Sequence, residues 1–533
     1  MSFVRNSCQQ FSLFDSLGFL SERKQRMLER SWAKAFSDHI FVNIDEMIFA
    51  PLYSEKTNSR PNAPINVIVG ALLLKEFTGL TDDEIREECE FDLRFQYALH
   101  TTSFEEQPLS DRTFSRFRER TAAYQLTTGK DLIHDCMVSL AEHIREFMDI
   151  DPSIIRMDSM MIESNIRKMS RLELLYTCLA NLVRTIRRDG RIEILDGFDH
   201  YANPNDRNQV IYHDKDTPFE ERIQKVIDDA IRLLPLCRDE YQNSEDYQLL
   251  ERAILEQTKV DDNGSHKLKG KGDGMDSSVL QNPSDPDATY REKAGKEHKG
   301  YSANIIEAVD EKGSVVTDYQ YDVNTRSDAS FIQEFIENSE PAEETVAVIA
   351  DGAYSGEDIQ NQAIEKNMVV FTTGLSGKSQ RKILPEFDLS EDEKNVISCP
   401  EGHVPKSSSY SSQTNSIRIS FFREQCENCP RREECHPKLK KRTALLFIPV
   451  TSWRRAREEV ESDPKFRQLI GRIRNGVETV PSVIRNKYRV DQMPVRGKLR
   501  TSQFFGFKIG ALNFSKLLRF LDGKAGCRAF QPA

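Results

Sequence analysis

TVAVIADGAYSG, running from Thr345 to Gly356, is an apolar β-branched run that stops at Asp351 and passes into small residues. A short continuous apolar run bounded by turn residues reads as a strand buried on both faces. Asp351 then either caps the turn or coordinates something, and its partners elsewhere in the chain decide between the two. Working outward, SGEDIQNQAIEKN reads as a helix, with Ser355 and Asp358 as an S-x-x-D start signal, and MVVFTTG as the next strand. Upstream, YSANIIEAVD and SVVTDYQYD flank a Glu311-Lys312-Gly313 turn and predict a hairpin, followed by a helix over SDASFIQEFIENS. Strands alternating with helices predict an α/β layer with partly parallel pairing.

The rest of the chain is organised around that layer. Residues 1–145 read as helical. One apolar helix runs from Ile65 to Phe77, Thr78-Gly79 breaks it, and Thr81 starts a second helix with Asp82, Asp83 and Glu84 in its first turn. A further helix lies over PLSDRTFSRFRERTAAY, with Ser110 as N-cap. Short helices joined by tight turns fit a helix-turn-helix-like unit or any small bundle. SIIRMDSMMIESN is an apolar run carrying Asp158. Residues 166–290 read as a polar helical insertion ending in a loop-rich connection. No internal repeat is evident.

At 533 residues, with 38% hydrophobic and 30% charged side chains, the composition is that of a soluble globular chain of several domains. No stretch is long and apolar enough for a signal peptide core or a membrane span, so a cytoplasmic protein is expected. The net charge of −11 speaks against a uniformly basic nucleic-acid binder, but its distribution does not. From Arg418 onward there are 26 Lys/Arg against 11 Asp/Glu, the footprint that phosphate backbones attract.

Six of the ten cysteines are solitary, whereas Cys399, Cys426, Cys429 and Cys435 crowd into CPEGH and CENCPRREEC. The C-x26-C-x2-C-x5-C spacing, with turn residues Pro400, Gly402 and Pro430 beside it, predicts a closed structural zinc site; His403 or His436 could replace one ligand. The alternative is four reduced, buried thiols. In the basic region, Ser462-Asp463-Pro464 reads as a helix start. Arg467, Arg474, Glu478 and Arg485 then share a face, although Pro481 should end or kink the helix one turn after Glu478. Trp453 could stack on an unpaired base, but packing is its simpler role, and His298 and Lys299 receive no catalytic role.

These motifs, in this order, resemble the bacterial insertion-sequence transposases of the DDE superfamily over most of the chain. RPNAPINVIVGALLLKEFTGLTDDEIREECEFDLRFQYAL and LSDRTFSRFRER resemble their helical N-terminal domain. RMDSMMIESN resembles the strand of the first catalytic Asp, VIADGAYSG the second-Asp motif, and RNGVE the R-x3-E segment around the catalytic Glu. RVDQMPVRGKLRTSQFFGFKIGALNFSKL resembles the segment that follows, and a cysteine module between second Asp and Glu occurs in one branch. The resemblance implies an RNase H-like mixed sheet flanked by helices. It implies a DNA-binding domain at 1–145, a first core segment at 146–375 holding the insertion, a zinc-ribbon-like module at 376–450, and a core segment with basic tail at 451–533. It implies Asp158, Asp351 and Glu478 as catalytic ligands of Mg²⁺ or Mn²⁺. Arg474, Arg485, Lys487, Arg496, Lys498 and Arg500 would contact DNA. The expected partners are double-stranded DNA, as terminal inverted repeats and as target, and a second copy of the chain once assembled on DNA; a nucleoid-associated location follows. The alternatives are an inactive zinc-stabilised repressor, or a nuclease without strand transfer. Two positions depart from the family pattern: Gly471 stands where many relatives have Tyr, and Arg485 where they have Lys.

Overall fold

The computed structural model describes the chain except residues 7–15, 55–59, 104–108, 215, 271, 294, 355, 374–380, 462–463, 528–529 and 531–533, and the side chains at 357, 373, 451, 455, 458–461 and 464. The expected start signals at Ser355 and at Ser462-Asp463 fall outside the described residues. Two compact units emerge: Met1–Val348 with Gly356–Val370 and Gly476–Ala533, and Ile349–Ser355 with Phe371–Asn475.

In the larger unit, α1 (Ile65–Thr78) and α2 (Asp82–Phe91) form as their sequence dictates. Thr81 and Glu84 make a reciprocal capping box, with Thr81 N–H donating to Glu84 Oε2 at 2.7 Å and Glu84 N–H to Thr81 Oγ1 at 3.2 Å. α3 (Thr113–Thr128) begins later than expected. Ser110 does not cap it; its backbone N–H donates to Thr113 Oγ1 instead, and Arg112 holds the cap position. α4 (Leu132–Phe147) follows. Its His134 meets Asp318 Oδ1 at 2.8 Å. Burial alone would lower the imidazole's pKa, but Asp135 and Asp318 outweigh it and push it up to about 10. Because the folded value lies above the unfolded one, this support is complete below pH ~6.5 and is lost as pH rises through about 10. His134→Gln should therefore flatten the fall in thermal stability between those limits, as read by melting curves against pH.

The main sheet opens with β1 (Ile154–Glu163). The helical insertion follows, with α5 (Arg171–Arg188), α6 (Phe219–Tyr241) and α7 (Glu245–Gln257) closing a core of their own around Leu175, Val183, Ile227 and Leu250. Its exit is pinned rather than loose. Asp285, fully buried, accepts from Tyr301 OH, Ser164 Oγ and Gly497 N–H, so three distant segments meet on one carboxylate. β2 (Thr289–Lys293), β3 (Lys296–Val309) and β4 (Ser314–Val323) come next. The predicted hairpin is β3–β4, antiparallel with Tyr301 opposite Val323. α8 (Asp328–Asn338), β5 (Val346–Asp351), α9 (Glu357–Glu365) and β6 (Met368–Thr373) complete the layer. The order is β2-β3-β1-β5-β6, with β4 also paired to β3. The result is a mixed α/β architecture.

In the smaller unit, β7 (Ser407–Ser411), β8 (Ser416–Phe422), β9 (Lys438–Leu439) and β10 (Thr443–Pro449) form an antiparallel sheet in the order β7-β8-β10-β9. The helix α10 (Val450–Glu461) packs Trp453 into its core, where the indole N–H donates to the Phe387 carbonyl at 3.1 Å. Trp453 is 4% exposed, so the packing role holds. Two helices then follow where one was expected: α11 (Pro464–Val477), and α12 (Thr479–Asn486), which belongs to the larger unit. Pro481 lacks an N–H and its ring opposes the carbonyl four residues back, at Val477, so the break falls on Glu478 rather than a turn beyond it. The last helix, α13 (Lys498–Leu521), is anchored in the larger unit by Phe514, which meets Phe77 and Phe36 edge-on at ring distances of 4.9 and 5.2 Å.

Candidate active site and its surroundings

Asp158 lies mid-way along β1, opposite Ile305 of β3. Alternation puts Arg156 on the same face of the strand and Ser159 on the other. Arg156 is nearly fully buried, donating from Nε to Glu307 Oε2 at 2.7 Å, while Lys516 of α13 binds the second Glu307 oxygen. Burial would raise the Glu307 carboxyl, but the two cations overcome it and hold it down at about 2. Arg156 also lies against Gly476: any Cβ there would run into Arg156 Nη1. A larger residue there would require the guanidinium, which Glu307 holds, to shift. Glu478, two residues on, is an exposed residue at the α11–α12 joint.

Asp351 is the last residue of β5, in the smaller unit. Its Oδ1 accepts from Ala353 N–H at 2.7 Å, an Asx turn, so the carboxylate does cap the turn. Its other oxygen faces Arg474 of α11 at 3.8 Å, with the two side chains 28% and 19% exposed. Gly352 and Tyr354 are buried, Tyr354 completely, which gives that tyrosine a packing role.

The expected DNA-contacting residues mostly have partners within the fold. Arg485 donates from Nη2 to the Met161 carbonyl at 2.6 Å and from Nε to Asp491 at 2.7 Å. Arg496 donates to the Asn165 carbonyl at 2.6 Å. Lys498 pairs with Asp322. Lys487 binds Ser515 Oγ at 2.9 Å above the Phe77 ring. Arg500 is exposed. Gly471 has open space around the position of a Cβ, so crowding does not explain the missing tyrosine. His298 is tied to Glu163 at 2.7 Å, a structural pair.

The four clustered cysteines are half-buried, and Cys399, Cys426 and Cys435 pack against the small sheet's core. Burial, then the neighbouring thiolates, push Cys426 and Cys435 up to about 11. The thiols are thus close enough to oppose one another's ionisation, the condition that a bound cation reverses. Yet among the described residues no group of three or more His, Cys, Asp or Glu stands in an arrangement that could hold a metal ion, neither these thiols nor the three carboxylates.

Residues 398–518 match the family described as "Transposase DDE domain", and residues 26–120 match "Transposase domain (DUF772)". Residues 398–518 thus match a transposase DDE domain, a kind of domain that implies phosphodiester hydrolysis and transfer chemistry served by divalent metal ions. The first match contains the cysteine segment and Glu478; Asp158 and Asp351 lie outside it. No curated protein matches the chain. A solved structure, "Cryo-EM structure of piggyBac transposase synaptic complex with hairpin DNA (SNHP)", is similar at 10% identity, over 94% of this chain and 78% of that one, with a TM-score of 0.29. A likeness at that level carries no argument. Among the described residues no helix is long and apolar enough to cross a membrane.

Proposed function

We propose that the chain is a DNA transposase of the insertion-sequence type with an RNase H-like core, acting on the terminal inverted repeats of its own element. Asp158, Asp351 and Glu478 are its catalytic carboxylates. The observation that supports this reading is the close approach of Gly476, two residues before Glu478, to the side chain of Arg156, two residues before Asp158 on β1. Asp351 ends β5, the apolar strand of the second-Asp motif. Carboxylate oxygens are hard donors that suit Mg²⁺ or Mn²⁺. Bound there, the ions would stabilise the attacking and leaving oxygens of an in-line displacement.

The protein's own part is to hold three carboxylates and to place the phosphodiester. Arg474, already facing Asp351, is suited to a non-bridging phosphate oxygen. Water as nucleophile would release a 3′-hydroxyl, and that hydroxyl would then attack target DNA at the same site. Pairing two ends calls for a second copy of the chain. The test is a cleavage and strand-transfer assay on DNA flanking the gene, in Mg²⁺. Cleavage followed by joining supports the reading; cleavage without joining of pre-cut ends identifies a nuclease, and binding without cleavage a repressor.

The reading extends to zinc at Cys399, Cys426, Cys429 and Cys435, a donor set that suits a tetrahedral ion. Its support is the cysteine spacing and the mutual effect of the thiols on their ionisation. Purified protein should carry one zinc per chain by elemental analysis. Cys426→Ser should lose it and lower the melting temperature; a full-length protein with no zinc would remove this part.

A further inference from the structure

The segment matching a transposase domain, residues 26–120, contains a groove. It encloses 980 Å³ between α2 and α3. Its floor is apolar, from Ile68, Leu109 and Phe117, each nearly fully buried. One wall carries Arg112, Arg116 and Arg120. Spaced four residues apart, they form a single ridge along the first half of α3, in steps of about 6 Å. Arg118 points the other way, paired to Asp82 with its guanidinium 4.6 Å from the Phe504 ring centre. α3 and its cap residue thus sort four arginines, one into the body of the unit and three along the groove. Arg60 and Arg86 add to the same lining.

The opposite wall supplies Glu87, Glu90 and the exposed ring of Phe91. Arg86 is bound to Asp111, and Arg120 lies over the Tyr53 ring at 5.1 Å. Arg112 and Arg116, both exposed, form no ion pair with any described residue. The chain as a whole carries 85 Asp/Glu against 74 Lys/Arg, so arginines left without carboxylates on one ridge call for an outside anion. A row of guanidinium groups above an apolar floor suits a repeating phosphate chain. Phe91, 88% exposed at the end of α2, is an apolar side chain of the kind that stacks on or wedges between bases.

We propose that the α2–α3 groove holds the phosphate backbone of one strand of duplex DNA, with Arg60, Arg112 and Arg116 on phosphates and Phe91 against a base. This rests on the reading of the chain as a DNA transposase and adds a contact site remote in sequence from Asp158, Asp351 and Glu478.

The test is binding of the full-length protein to a labelled duplex taken from the DNA flanking the gene, in EDTA, by fluorescence anisotropy across a salt series. Each phosphate contact contributes ~0.9 to the slope of log K against log salt. The Arg60→Ala/Arg112→Ala/Arg116→Ala protein should therefore bind more weakly, with a slope shallower by about 2.7. Phe91→Ala should weaken binding and leave the slope unchanged. Arg187→Ala/Arg188→Ala, an exposed basic pair on α5, should match wild type in both. Melting temperatures of all variants establish that they are folded. An unchanged slope in the triple variant overturns the groove while leaving the transposase reading standing. A wild-type protein that binds no duplex overturns both.

Discussion

Asp351→Asn should leave DNA binding intact and slow Mg²⁺-dependent cleavage of the element's ends by ~10³-fold, because a lost metal ligand removes several kcal/mol of transition-state stabilisation. The substitution is well posed for a structural reason. Asp351 Oδ1 accepts the Ala353 N–H, and an asparagine carbonyl can make the same bond. The turn survives while the charge goes. If the carboxylate were only a cap, Asp351→Asn would cleave at the wild-type rate. Asp158→Asn is expected to behave in the same way, since Asp158 Oδ1 likewise accepts a local N–H, from Ser159 at 3.0 Å. Cleavage rates and binding constants measured on the same preparations separate loss of chemistry from loss of grip.

Glu307→Gln should destabilise the larger unit by about 3–5 kcal/mol, the usual cost of leaving buried charges without their partner. Arg156 and Lys516 both converge on this fully buried carboxylate. Its depressed pKa fixes the sign of the pH dependence. The contribution is present above the ordinary carboxyl value of 4.5 and is lost as pH falls toward about 2. Glu307→Gln should therefore cost most near neutrality and converge on wild type in acid, as read by denaturant unfolding at several pH values. A wild-type stability at pH 7 would show that the cluster contributes nothing. Because Arg156 also supports Gly476, the same variant should cleave DNA more slowly under conditions where it is still folded, and Gly476→Ala should do so with the charges left in place.

What the sequence made legible was local. The helix start at Thr81 with its acidic first turn, the β3–β4 hairpin and the apolar strand ending at Asp351 each follow from residues within a few positions of one another, and each is present. Glu478 shows where local reading falls short by one step. Pro481 was visible, but its effect is exerted on the carbonyl four residues back, so the helix breaks at Val477 and hands Glu478 to a joint instead of a helix face. Less legible were contacts between distant segments. Nothing local to Asp285 says that Tyr301, Ser164 and Gly497 will converge on it, so a loop-rich segment looked loose when its end is fastened. Arg485 and Arg496, expected to contact DNA, also donate to backbone carbonyls near β1, at Met161 and Asn165. Charge counting locates basic residues; it does not reveal which of them also bond within the fold.

A metal swap at position 351 separates a metal-binding carboxylate from a turn cap. Thiolate is a softer ligand than carboxylate and accepts Mn²⁺ more readily than Mg²⁺. Asp351→Cys should fail to cleave flanking-repeat DNA in Mg²⁺ and recover cleavage in Mn²⁺, with DNA binding equal in both. Cleavage by Asp351→Cys in Mg²⁺ at the wild-type rate would contradict the assignment.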